Sequence, residues 1–363
     1  MEYVEYNEFD ICFNSMKLKY VDYDESISKL NFLEPTDRVN VFINLETAFK
    51  FMSQIKDVEA KIINLKEFPI IIASNILNLA AHYKRFFANN GLNPKVYLYC
   101  TDFESTKFKE EKYNEFFRSF YITKFTSNPK YITMTEKLVH DVFPLVRTIC
   151  EFIPNVYFIT GKNIEGSLIP YIIAKDDTSR KNMIITDDIY ETQYSFYDDF
   201  MVHCYKRGYK ERILSVSRND HIGKLFHLLT NNTHFNESLN TKTMYTSLLS
   251  TCGNKERSIE PLKNIREKTF IKLFKDALDK NIITENTTNP ELVAKMFPGE
   301  EVQELFINNY KTTDIEYQYK ELTDSDIHSI KTQIINRLDN NSLRELNATT
   351  FYKYPLILEA LTL

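Results

Sequence analysis

The chain has 363 residues, 43% of them hydrophobic and 26% charged, with a formal net charge of −5 at pH 7. That is a globular balance with ample material for a core and no bulk attraction for a polyanion. Seven glycines (Gly91, Gly161, Gly166, Gly208, Gly223, Gly253 and Gly299) are too scattered to build a phosphate-cradling loop, which excludes a nucleotide cofactor held that way. Five cysteines without a C-x-x-C pair and seven histidines without H-x-x-x-H spacing exclude a disulfide framework, a zinc knuckle and a zincin centre.

Glu2, Glu5, Glu8 and Asp10 stand where a secretory signal carries positive charge, and residues 1–35, ending at Pro35, read as an extension outside the core. The longest apolar stretch, 69–81, is broken by Ser74, Asn75 and Asn78 and is too short to span a bilayer. A cytoplasmic chain with no membrane partner is expected. From residue 38 onward, short β-branched and aromatic runs alternate with helical stretches. Strands are expected at 39–43, 61–65, 95–100, 155–160 and 181–186, and helices at 45–55, 69–89, 135–152 and 165–174. Pro69 and Gly91 punctuate the second helix at its start and just past its end. Near-continuous apolar strands separated by helices predict an α/β fold, a mainly parallel sheet covered on both faces, over residues 36–215. Residues 216–363 read as helical, with helices at 226–229, 244–250, 267–278, 290–295, 300–309 and 324–338.

In an open parallel sheet, ligands gather beyond the carboxyl ends of the strands. Asn44 follows the first strand and Asp102 the 95–100 strand; Glu165 follows the 155–160 strand, and Asp187 and Asp188 the 181–186 strand. Polar and acidic groups delivered to one edge by four strands form the layout of a divalent-metal site. Cys100, at a strand end with no histidine beside it in the pattern, reads as a buried hydrophobe and not a nucleophile.

These stretches, in this order, resemble the 5′-nuclease superfamily of flap endonucleases, 5′→3′ exonuclease domains and bacteriophage RNase H enzymes, which share a PIN-like core. The matching segments are Val41-Phe42-Ile43-Asn44, Val96-Tyr97-Leu98-Tyr99-Cys100-Thr101-Asp102, Ile164-Glu165-Gly166-Ser167-Leu168 and Ile184-Ile185-Thr186-Asp187-Asp188-Ile189-Tyr190-Glu191-Thr192-Gln193. Cys252-Gly253-Asn254-Lys255-Glu256-Arg257-Ser258, leading into Ile265-Arg266-Glu267-Lys268-Thr269, is similar to the family's helix–three-turn–helix, near 246–280. The resemblance implies a two-ion phosphodiesterase site. The chain departs from it where acids are expected: Asn44 after the first strand, Gly166-Ser167-Leu168 after Glu165, Tyr190 beyond Asp188, and Asn254 and Arg257 in the helix–three-turn–helix loop. Arg266 replaces a backbone-approach glycine. Asp102, Glu165, Asp187 and Asp188 remain as metal candidates, enough for at most one weakly held magnesium or manganese; no cofactor is required.

Segment 102–134 falls where the family places an arch over single-stranded DNA, and there Lys107, Lys109, Lys112, Arg118 and Lys124 are interleaved with Phe and Tyr. Cations beside stacking aromatics suit a single strand, and an amphipathic helix packed on the core explains the same pattern. Lys255, Lys263, Arg266 and Lys268 form a second basic patch suited to phosphates, diluted by Glu256, Glu260 and Glu267. The expected function is a catalytically degenerate 5′-nuclease-like protein that binds single-stranded, flap or junction DNA or other viral or replication proteins. An active metal-dependent nuclease with an unusual ligand set is the first alternative, and a virion or complex component using the fold as a scaffold the second. Low glycine with abundant Asn, Ile, Lys, Tyr and Phe suggests an AT-rich genome; together with the frequency of the resembled family in bacteriophages, that implies a phage-encoded origin in a bacterial host.

Overall fold

The apolar runs of the N-terminal half assemble into one sheet. In the computed structural model the described residues are 38–45, 68–101, 142–151, 153–161, 164–186, 188–205, 213–216, 241–253, 259–284 and 287–335. The expected 1–35 extension, the 61–65 strand, the 226–229 helix, nearly all of the 45–55 helix and the 102–134 arch lie outside them.

Strands β1 (Arg38–Asn44), β2 (Asn93–Thr101), β3 (Val156–Gly161), β4 (Lys181–Thr186), β5 (Phe200–Tyr205) and β6 (Ile213–Val216) run in the order β3-β2-β1-β4-β5-β6. Every neighbouring pair is parallel except β5 with β6. Four of these strands coincide with the sequence expectation; β5 and β6 do not. The β4–β5 crossover carries a 3₁₀ stretch (Glu191–Phe196) in place of the helix of a βαβ unit, so no helical periodicity marks β5 in the sequence.

Helix α1 (Phe68–Asn89) ends where Gly91 adopts φ +80°, turning the chain so that the Leu92 N–H reaches the Phe87 carbonyl. It packs with α2 (Phe143–Cys150) on one face of the sheet, where Phe143 and the Arg147 guanidinium lie against the Phe158 ring. The other face holds a ladder of rings set by register. Phe42 pairs with Tyr97 and Tyr97 with Tyr157, and each pair stacks at 5.0 Å. Helices α3 (Ile169–Asp176), α8 (Ile315–Lys320) and α9 (Asp324–Ile335) cover this face through Ile169, Ile172, Ile173, Ile315 and Ile330. At the outer edge, the Gln333 amide accepts from the Thr160 N–H at 3.0 Å and donates to its carbonyl at 2.8 Å, blunting the free edge of β3.

A second apolar cluster belongs to the helical region: α4 (Lys242–Cys252), α5 (Glu267–Asp279), α6 (Pro290–Ala294) and α7 (Glu300–Thr313) bury Leu248, Phe270, Phe274, Phe297 and Phe306 together. The Glu191–Phe196 stretch forms the seam between the two clusters. Gln193 donates to the Tyr190 and Thr313 carbonyls and accepts from the Thr246 hydroxyl at 3.1 Å, while Thr192 bonds the Tyr245 hydroxyl.

Candidate functional site

Because β1 to β4 are parallel, their carboxyl ends emerge at one edge. Asn44 ends β1, Thr101 ends β2, Glu165 follows β3 and Asp188 follows β4. Asn44, Glu165 and Asp188 therefore share the edge; Asp102 and Asp187 lie outside the described residues, next to Thr101 and Thr186.

The side chain at position 44 is engaged by a residue that sequence reasoning did not single out. Asn44 Nδ2 lies 3.1 Å from Oε2 and 3.2 Å from Oε1 of Glu191, a carboxylate with no exposed surface. The Tyr99 hydroxyl donates to Glu191 Oε1 at 2.9 Å. Asn44 and Tyr99 are register partners on the face that carries Phe42 and Tyr97, which is why both reach the same carboxylate. Burial, followed by the charge and hydrogen bond of Glu191, pushes the Tyr99 hydroxyl well above its ordinary pKa and keeps it a donor.

Asp188 opens the next turn. Its N–H donates to the Thr186 hydroxyl, and its Oδ1 accepts the Tyr190 N–H, each at 2.9 Å. One carboxylate oxygen thus serves a local turn. The Tyr190 side chain leaves the edge altogether: it is 2% exposed, packs with Met244, Tyr245 and Leu248, and its hydroxyl donates to the Leu249 carbonyl at 3.2 Å.

Glu165 is half-buried and precedes the turn Gly166–Leu168. The Gly166 N–H donates to Thr101 Oγ1 at 3.0 Å. A Cβ at this position would stand 2.7 Å from the Thr101 nitrogen and 2.9 Å from the Cys100 carbonyl carbon. No side chain, and so no carboxylate, fits there without moving β2.

At the second candidate element, α4 stops at Gly253, whose φ of +70° turns the chain back under residues 259–261. A Cβ would lie 2.4 Å from the Pro261 nitrogen, so glycine is required. Asn309 of α7 clamps the turn by donating to the Ser250 and Glu260 carbonyls at 2.9 and 2.7 Å. Helix α5 then turns Phe270, Phe274 and Ala277 inward, leaving Lys268, Lys272 and Lys275 exposed beside Lys263 and Arg266. Asn254, Lys255 and Arg257, like Lys107, Lys109, Lys112, Arg118 and Lys124, lie outside the described residues.

No family model matches the chain, and no curated protein matches it in sequence. Among solved structures, the flap endonuclease of bacteriophage T5, in a pseudo-enzyme–product complex with DNA and metal ions, aligns at TM-score 0.51 with 14% identity, over 83% of this chain and 100% of that one. The T5 5′-exonuclease with bound zinc aligns at 0.48 with 14% identity, over 83% and 98%. The catalytic core of Rad2 with DNA substrate aligns at 0.31 with 10% identity, over 82% and 79%. The first of these exceeds 0.5 and settles the architecture. The chain has the 5′-nuclease fold.

Within that fold two of the described positions, 44 and 166, offer no anionic oxygen to a cation. Position 44 turns amide hydrogens, not lone pairs, toward the buried carboxylate. Position 166 admits no side chain, and Asp188 Oδ1 already accepts one backbone N–H. Among the described residues no three His, Cys, Asp or Glu side chains converge as a metal-holding group. Each hard cation needs several oxygen ligands, preferably anionic, to offset its charge.

Proposed function

We propose that this chain is a 5′-nuclease-fold protein that binds nucleic acid without cleaving it. The pairing of Asn44 with both oxygens of Glu191 carries this reading. Where a strand-end acid would help hold an ion, the side chain is a hydrogen-bond donor already spent on a carboxylate. The binding half is supported by Lys263, Arg266, Lys268, Lys272 and Lys275, which stay exposed around the start and outer face of α5. A helix N-terminus flanked by cations suits backbone phosphates, which position a nucleic acid without reading its sequence. Single-stranded, flap or junction DNA is the class of ligand proposed.

The test pairs two assays on the full chain. Anisotropy of a labelled 5′-flap and of a single strand should report binding at low salt that weakens steeply as salt rises. Incubation of flap, nicked and RNA–DNA hybrid substrates with magnesium or manganese should leave them intact. Cleavage abolished by changing Glu165 and Asp188 to alanine overturns the non-cleaving half, and absence of binding at low salt overturns the other.

A further inference from the structure

The misfit at position 44 has a consequence that deepens, and rests on, the non-cleaving reading. A carboxylate with no solvent contact is stable only when hydrogen bonds or a cation satisfy it. Glu191 is such a carboxylate, and the ends of two parallel strands supply donors to it: Asn44 Nδ2 to both oxygens, at 3.1 and 3.2 Å, and the Tyr99 hydroxyl at 2.9 Å. Glu191 begins the 3₁₀ stretch whose next residues anchor α4, so the same carboxylate fixes the sheet edge to the seam with the helical region.

We propose that the Asn44 amide, helped by Tyr99, is a built-in substitute for a divalent cation, and that Glu191 is a latent ligand held closed by it. Asn44 is the specificity-determining position: its amide donor, shared between the two oxygens, selects a metal-free edge. Replacing the amide by a carboxylate exchanges a donor for a second acceptor about 3 Å from the first. Two carboxylates that close cannot both ionise in a buried site unless a proton or a cation lies between them. Magnesium or manganese, hard and oxygen-seeking, is the class of ion that Asn44→Asp should admit.

The experiment compares the wild-type chain, Asn44→Asp, Asn44→Ala, Glu191→Gln and the double variant Asn44→Asp/Glu191→Gln by thermal melting, in EDTA and in millimolar manganese, with manganese affinity read by electron paramagnetic resonance. The wild type should melt at the same temperature in both buffers. Asn44→Asp should melt lower in EDTA, recover in manganese and bind the ion at least about tenfold tighter than wild type, as expected when a charged oxygen replaces a donor. The double variant should lose that response. Asn44→Ala leaves Glu191 without its amide and adds no charge; it should melt below Glu191→Gln in EDTA and be raised in part by manganese, which keeps the test informative if Asn44→Asp fails to fold. The proposal is overturned if manganese raises the wild type as much as Asn44→Asp, if the double variant keeps the response, or if Asn44→Ala melts no lower than Glu191→Gln. Cleavage by the wild type sinks the non-cleaving reading and leaves these melting comparisons as a separate result.

Discussion

The hydroxyl of Tyr190 donates to the Leu249 carbonyl at 3.2 Å, tying the loop after β4 to the C-terminal half of α4. Its ring sits in the helical cluster with Met244, Tyr245 and Leu248. Tyr190→Phe keeps the ring and loses the bond, so it should cost about 1 kcal/mol in denaturant unfolding. Tyr190→Asp removes the ring and buries a charge, and should cost about 3–5 kcal/mol. A stable Tyr190→Asp variant that binds manganese would mean the side chain can swing back to the edge.

Two glycines separate close approach from backbone strain. Gly166 is hemmed in by the Thr101 and Cys100 backbone, whereas Gly91 has φ +80° and no atom within 4 Å of a Cβ. Gly166→Ala should destabilise by about 1–3 kcal/mol through forced displacement of β2. Gly91→Ala should cost about 1 kcal/mol, and Gly91→Asn less, because asparagine tolerates the left-handed region. Equal tolerance of alanine at both sites, measured by urea melts, would contradict the crowding at Gly166.

Charge reversal at Lys263 and Lys268 should act on binding and not on folding, since both side chains are exposed. If each neutralises one phosphate, the double variant should lower the slope of log affinity against log salt by about 1.5. An unchanged slope with an intact melting curve would overturn the proposed phosphate contact at α5.

The Lys242 ammonium lies 2.9 Å from Glu316 and 3.7 Å from Asp314, joining the start of α4 to α8. Partial burial pushes the Glu316 carboxyl up, but the Lys242 bond and charge outweigh it and leave the group below its ordinary value. A carboxyl whose folded pKa is depressed stabilises the fold above the unfolded value and loses that contribution as pH falls through the folded one. Stability should therefore drop from about pH 5 downward. Lys242→Met should flatten that acid limb; an identical pH profile in the variant would assign the drop to other carboxylates.

Local pattern alone determined β1 to β4 and most of the described helices. Apolar runs such as Val39–Ile43 and Met183–Ile185 bury both faces of a parallel strand, and Pro69 and Gly91 punctuate α1 through backbone restrictions that need no partner. Parallel order then placed Asn44, Glu165 and Asp188 at one edge, so the location of the candidate site was legible. Its chemistry was not. Glu191 stands 147 residues from Asn44 and looks, in sequence, like any acid beyond a strand; only the β1–β2 register and the 3₁₀ stretch bring it beneath the Asn44 amide and remove it from water. Tyr190 is its immediate neighbour, yet its side chain lies in the helical cluster and bonds Leu249, because successive side chains around a 3₁₀ turn stand about 120° apart. Strand β5 likewise depended on pairing with β4, a contact no local periodicity encodes. Short-range sterics and hydrophobic spacing write the elements into the chain. Which buried charge meets which donor is decided by long-range packing, where one residue of register changes every partner.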